Sequence, residues 1–123
     1  MNRFEPKTFR HSVRYAVEGL RYIWQHEQNF RTQVTVGAIA LLAGLLLGLT
    51  REAWIVLILT AGTVLILEIL NTTLERLTDL AQPRLHHYAK AMKDMMAAAV
   101  LLASLGALVI GVLIFWPYVF GGT

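Results

Sequence analysis

The residues best suited to chemistry come at the end of an apolar segment. In "LILEILNTTLERLTDL", residues 65–80, Glu68 follows fifteen uncharged residues and precedes Asn71, Glu75 and Asp79. An α-helix turns about 100° per residue, so these four side chains would share one stripe about 16 Å long. A charge near hydrocarbon costs about 2–3 kcal/mol on insertion scales, so the stripe indicates metal ions or other cations as partners. The alternative for Glu75 and Asp79 is simple solvation where the helix leaves the membrane.

A second polar cluster lies in "YAKAMKDMM", where Lys90, Lys93 and Asp94 precede another apolar segment. Lysine next to carboxylates is what a nucleoside triphosphate with Mg²⁺ requires, because the carboxylates hold the metal and lysine contacts phosphate oxygens. The sequence has no G-x-x-x-x-G-K-[ST] motif, so a phosphate site here is not a P-loop. The alternative is a pair of lysines that extend from the membrane to its surface.

The elements that must position these residues are membrane helices. The chain has 123 residues, 56% of them hydrophobic, and no cysteine, which predicts one small domain over residues 1–123 without disulfides. A soluble domain of this size could not bury so much apolar surface. Because a bilayer core needs about 20 helical residues, the uncharged segments predict three spans, at about 32–50, 53–75 and 94–118. The predicted fold is an all-α membrane protein.

The segment before the first span, at about 7–31, predicts an N-terminal amphipathic helix on the membrane surface. Phe9, Val13 and Trp24 recur at helical spacing, whereas Arg10 and Arg14 lie largely on another face. The alternative is an amphipathic helix that packs against the rest of its own protein.

Charge and small residues predict the topology and the packing. Basic residues gather before the first span and in the 80–92 loop, so the positive-inside rule places both in the cytoplasm and the C-terminus outside. In the third span, Ala99, Ala103, Ala107 and Gly111 recur every fourth residue, which lets membrane helices approach closely. Three helices enclose little volume, so we expect an oligomer.

The segments "EILNTTLERLTD", "AKAMKDMMAAAVLL" and "EGLRYIWQHEQNFR" resemble the signatures of a known family, the small bacterial integral-membrane lipid kinases. This family contains diacylglycerol kinase and undecaprenol kinase. The resemblance extends over nearly the whole chain. It implies a homotrimer in the bacterial cytoplasmic membrane that uses Mg²⁺ and ATP to phosphorylate a lipid hydroxyl at the cytoplasmic face.

The resemblance also implies roles for individual residues. Glu68 matches the family's general base, and Glu27 and Glu75 match its metal ligands, which also contact ATP. The remaining matches are to residues of the ATP site: Tyr15, Asn71, Asp79, His86, Lys93 and Asp94.

Alternatives stay open for the lipid that accepts the phosphate and for the class of function. Lys90 and the "RYAVEGLRYIW" segment favour the undecaprenol branch over the diacylglycerol branch. A small ion or proton transporter is the main rival, because carboxylates and an amide within a membrane also mark ion paths. A third alternative is a non-catalytic assembly subunit, which would leave the polar stripe unexplained. Because the basic residues are dispersed among the spans, they do not form a nucleic-acid patch, and we expect no nucleic acid as a partner.

Overall fold

The chain folds into four helices and, over the residues described, no strand. The computed structural model describes residues 6–81, 84 and 86–121, with residues 6 and 7 described by their backbone alone. The helices are α1 (Pro6–His26), α2 (Gln28–Leu47), α3 (Arg51–Ala81) and α4 (His86–Val119). By length and composition, α2, α3 and α4 can each cross a membrane. The predicted all-helical fold with three long apolar helices is confirmed. The single domain over residues 1–123 extends past the described residues and stays a prediction.

The predicted N-terminal element ends earlier than the sequence indicated. We expected one helix to about residue 31, but α1 ends at His26 and α2 begins at Gln28. Between them, Glu27 has an extended backbone with φ −125° and ψ 110°. Residues 28–31 therefore belong to the first apolar helix. A single extended residue separates two helices whose residue types are compatible with one continuous helix.

Hydrogen bonds at this break satisfy the end of α1. The Glu27 backbone N–H donates to the Ile23 carbonyl at 2.9 Å. The Arg31 guanidinium, one turn into α2, donates to the Trp24 carbonyl at 2.6 Å. The last carbonyls of a helix lack partners within the helix, so these bonds fix how α2 leaves α1 and hold Glu27 at the corner.

The turn between α2 and α3 is formed by a left-handed glycine and a threonine cap. Gly48 has φ 70° and ψ 56°, and its N–H donates to the Gly44 carbonyl at 3.0 Å. Glycine adopts this conformation without the penalty that a side chain would bring. The Thr50 hydroxyl then accepts a hydrogen bond from the Ala53 N–H at 3.2 Å. This N-cap starts α3 at Arg51, slightly before the predicted span.

Gly44 packs closely against the side chains of Leu49 and Trp54, and we expect a side chain there to destabilise the hairpin. A Cβ atom on Gly44 would lie 2.8 Å from Leu49 Cδ1 and 3.0 Å from the Trp54 ring. Overpacking of this kind typically costs about 1–3 kcal/mol. Gly44→Val should therefore lower the midpoint of thermal unfolding in micelles relative to Gly37→Val. Gly37 is the control, because it lies on the same helix and its added Cβ meets no atom within 4 Å. Equal midpoints would contradict the packing of Trp54 on Gly44.

The contact between α3 and α4 is the most extensive in the fold. Along the covered face of α3, the buried residues change from the apolar Leu57 and Val64 to the acidic Glu68. On α4, the four small residues at every fourth position are all half-buried: Ala99, Ala103, Ala107 and Gly111. Small side chains allow two helices to approach closely. The polar stripe thus continues the packing face of α3.

Both helices that carry the polar residues are longer than the predicted spans. α3 continues to Ala81 and α4 begins at His86, whereas the spans were predicted to end at about 75 and to begin at about 94. Charged residues mark where a helix leaves hydrocarbon, but they do not end the helix. Asp79 and Lys93 therefore lie on regular helices that extend past the apolar segments.

Candidate active site

Glu68 is a buried carboxylate within electrostatic range of two others. Its residue is only 4% exposed, in the middle of the covered face of α3. Glu27 and Glu75 lie near enough for their negative charges to repel that of Glu68. Across the described residues, neither Glu68 nor Glu75 forms an ion pair. The structure therefore brings together three of the predicted site residues, and their combined charge favours a cation.

Glu27 reaches this cluster because it occupies the break between α1 and α2. One carboxylate oxygen, Oε1, accepts a hydrogen bond from Nη2 of Arg76 at 3.1 Å. The two residues are 49 positions apart in the sequence. This ion pair joins the corner after α1 to α3 and directs the Glu27 side chain toward the polar stripe.

Asn71, on the same helix as Glu68 and Glu75, has an unsatisfied oxygen atom. Its Oδ1 atom is buried and has no hydrogen-bond partner, which is true of no other buried side-chain oxygen or nitrogen in the described residues. A buried polar atom without a hydrogen bond typically lowers the free energy of unfolding by about 1–3 kcal/mol. An amide oxygen in this state can accept a hydrogen bond from a ligand or contact a cation.

The two lysines at the start of α4 have different partners. The Lys93 ammonium donates to Asp79 Oδ1 on α3, so the cation of α4 meets the acidic stripe. Lys90 instead donates to Asp94 Oδ2 at 2.7 Å, one turn along its own helix. Lys93 is about one-third exposed, whereas Lys90 is largely exposed. This difference supports the distinction between a site lysine and a surface lysine.

Two of the predicted nucleotide contacts, Tyr15 and His86, are exposed residues. Tyr15 is exposed on α1, where its ring centroid lies 6.4 Å from that of His11. His86 is exposed at the first residue of α4 and has an edge contact with His87. No hydrogen bond in the described part of the chain joins either residue to Glu27, Glu68 or Glu75. Their roles as ATP contacts stay predictions.

A groove between α1 and α3 adjoins Glu27 through Arg76, which lines the groove and pairs with that carboxylate. Its volume is about 630 Å³, within the range of small-molecule sites. The groove is mainly apolar, and its lining includes Ala16, Leu20, Ile23, Ile69, Thr72 and Arg76. Ile69 is adjacent to Glu68 in the sequence, and Thr72 lies one turn further along. An apolar molecule in this groove would place a polar end near Glu68.

The carboxylate ligands suit Mg²⁺ that binds together with a nucleotide. Carboxylate oxygens are hard ligands, and Mg²⁺ typically binds through one or two of them together with substrate phosphates. No group of three acidic or histidine side chains among the described residues converges closely enough to hold a metal by itself. Glu27 and Glu75 therefore fit a site that phosphate oxygens complete.

Arg76 was not among the residues that the sequence predicted for the site. A signal was available, because Arg76 lies about 100° around the helix from Glu75. That direction is the side of Ile69 and Thr72, where a cation would otherwise face apolar residues. Arg31 was not predicted as a structural residue either. Its hydrogen bond to the Trp24 carbonyl depends on a helix break that no residue in the sequence indicates.

Comparison with known proteins identifies the family. The description of the matching family model is prokaryotic diacylglycerol kinase, and it covers residues 14–115. The chain is 43% identical over 101 residues to a diacylglycerol kinase of Synechocystis, a match with 81% of this chain and 58% of that protein.

Two further relatives match over more of their own length. An undecaprenol kinase of Bacillus subtilis is 36% identical over 116 residues, which cover 94% of each chain. A diacylglycerol kinase of Escherichia coli is 30% identical over 104 residues, or 85% of each chain. The family resemblance in the motifs is thereby confirmed. The chain belongs to the prokaryotic diacylglycerol kinase family, a family of lipid kinases.

Proposed function

We propose that this protein transfers the γ-phosphate of ATP to the hydroxyl of a membrane lipid, with undecaprenol as the favoured acceptor and diacylglycerol next. The lipid oxygen forms a bond to the γ-phosphorus, and the bond from that phosphorus to the β,γ-bridging oxygen breaks. The hydroxyl proton passes to a base on the protein. The products are a lipid monophosphate and ADP.

The observation that carries this proposal is the position of Glu68. It is a buried carboxylate beside the α1–α3 groove, and Glu27 and Glu75 lie close to it. A general base must be within hydrogen-bond reach of the proton that it takes. A lipid whose chain occupies the groove would bring its hydroxyl toward Glu68, because Thr72, which lines the groove, lies one turn from Glu68 on nearly the same face of α3. Glu68 is therefore assigned as the base.

The other polar residues hold the nucleotide. Lys93 provides positive charge for phosphate oxygens, and Asp79 fixes the lysine in position through their ion pair. The unsatisfied Oδ1 of Asn71 accepts a hydrogen bond from a donor group on the ligand. Family resemblance assigns the remaining ATP contacts to Tyr15, His86 and Asp94.

Glu27 and Glu75 hold the Mg²⁺ that accompanies ATP. Their carboxylates come from the corner after α1 and from α3, and both approach Glu68. Bound with the nucleotide, Mg²⁺ would neutralise charge on the phosphate oxygens. Because the protein supplies few ligands, metal and nucleotide bind together.

The helices position this site at the boundary between water and lipid. In α1, Phe9, Val13 and Trp24 are exposed, which supports a helix that lies on the membrane surface with its apolar face toward lipid. The distribution of basic residues supports a cytoplasmic N-terminus and an external C-terminus in the bacterial cytoplasmic membrane. The active form is a homotrimer, as the family resemblance implies. Neighbouring subunits then contribute jointly to each nucleotide site, as the same resemblance implies.

Steady-state assays with purified protein test the proposal. The protein in detergent micelles receives Mg-ATP and either undecaprenol or dioleoylglycerol, and both ADP and lipid phosphate are measured. We expect equal amounts of the two products and a higher kcat/KM with undecaprenol. A higher kcat/KM with dioleoylglycerol would overturn the choice of acceptor. An ion flux through liposomes without any lipid phosphate would instead favour the transporter.

A further inference from the structure

Arg76 stands out because it contacts a predicted metal ligand directly. Its guanidinium donates to Glu27 Oε1 at 3.1 Å and also lines the groove between α1 and α3. The side chain of Glu27 is 25% exposed and that of Arg76 is 51% exposed, so the pair is accessible from solution. A cation that is bound to a metal ligand occupies the position that a metal would need.

The charges around Arg76 explain why it takes this partner. Glu27, Glu68 and Glu75 bring three negative charges close together. Within the described residues, Arg76 is the one cation that forms an ion pair with any of them. The pairing lowers the repulsion among the carboxylates while no other cation is present. It also reduces the attraction of the cluster for a free divalent ion.

We propose that Arg76 is an internal counter-ion of Glu27 that competes with the divalent metal for this carboxylate. Arg76 pairs with Glu27 in the nucleotide-free protein and is displaced when a metal binds. The inference rests on the proposed function only in taking Glu27 as a metal ligand. Its consequence is that the carboxylates hold metal weakly until nucleotide phosphates add further ligands.

A purely structural role makes the opposite prediction. If the ion pair only fastens the corner after α1 to α3, then loss of Arg76 would disorder Glu27 and weaken metal binding. If Arg76 competes with the metal, its loss leaves the carboxylates with uncompensated charge and strengthens metal binding. The sign of the change therefore separates the two roles.

Binding of Mn²⁺ without nucleotide, followed by electron paramagnetic resonance, tests the proposal. We expect Arg76→Gln to raise the Mn²⁺ affinity about fivefold, the scale of a partly exposed ion pair. Arg76→Lys keeps the charge and should stay within about twofold of wild type. Arg14→Gln is the matched control and should leave the affinity unchanged, because it removes the same charge from an exposed pair with Glu18 on α1.

A double-mutant cycle locates the effect at Glu27. In a Glu27→Gln background, Arg76→Gln should no longer raise the Mn²⁺ affinity. An unchanged or lower affinity in Arg76→Gln, or an equal rise in Arg14→Gln or Arg76→Lys, would overturn the proposal. Lack of lipid phosphorylation by the wild type would refute the proposed function, and the Mn²⁺ result would still stand for Arg76. Normal kinase activity with no Mn²⁺ shift would refute the counter-ion alone.

Discussion

Replacement of Glu68 by glutamine is expected to lower single-turnover phosphoryl transfer by at least about a hundredfold, the usual scale for a positioned general base. Glutamine has nearly the same shape, but it cannot accept the hydroxyl proton. Binding of Mg-ATP should stay near the wild-type value, since Lys93 and Glu75 remain. The measurement is rapid-quench transfer to the lipid, together with nucleotide binding on the same preparation.

Two further variants make this result specific. Glu68→Asp should recover little activity, because the shorter side chain withdraws the carboxylate from the lipid hydroxyl. Glu52→Gln is the control, because Glu52 is an exposed glutamate in the first turn of the same helix. Near-normal transfer in Glu68→Gln would show that the base lies elsewhere, and Asp94 is then the next candidate.

Replacement of Lys93 by alanine is expected to raise the KM for ATP and to lower kcat, with a combined loss of at least about a hundredfold in kcat/KM. Electrostatic groups that face charge developing in the transition state commonly contribute this much. The variant also removes the partner of Asp79 and leaves its negative charge beside the nucleotide. Steady-state kinetics at saturating lipid and varied Mg-ATP measure both parameters.

Lys90→Ala is the matched control for Lys93, because the two lysines lie one turn apart on α4. Lys90 pairs with Asp94 on its own helix and is largely exposed. We expect its replacement to change kcat/KM less than about threefold, as is typical of an exposed ion pair. Losses of similar size in the two variants would contradict the assignment of Lys93 alone to the phosphate site.

The stripe on α3 could be predicted from the sequence because it depends on helical periodicity alone. Glu68, Asn71, Glu75 and Asp79 recur at spacings that any regular helix places on one face. The ion pair of Lys93 with Asp79 could also be predicted, since a short loop must bring the start of α4 next to the end of α3. Local pattern and short connections were sufficient for both.

The corner at Glu27 could not be predicted in the same way. The sequence there has neither glycine nor proline, and the side chain of Glu27, the N-cap residue of α2, does not cap that helix with a hydrogen bond. At this break Glu27 contacts a distant residue, Arg76, which is 49 positions away in the sequence. Glu27 was identified by family resemblance, whereas Arg76 became visible only in the structure. The roles of Tyr15 and His86 stay predictions.

Transfer of label from [γ-³²P]ATP to a lipid tests the central claim most directly. Purified wild-type protein in vesicles that contain undecaprenol is mixed with labelled ATP and Mg²⁺, and the lipid fraction is extracted after one turnover. The account predicts one labelled phosphate per lipid product, formed at a rate that matches the release of ADP and abolished by EDTA. Label that appears only as inorganic phosphate, or no label outside ATP, would contradict it.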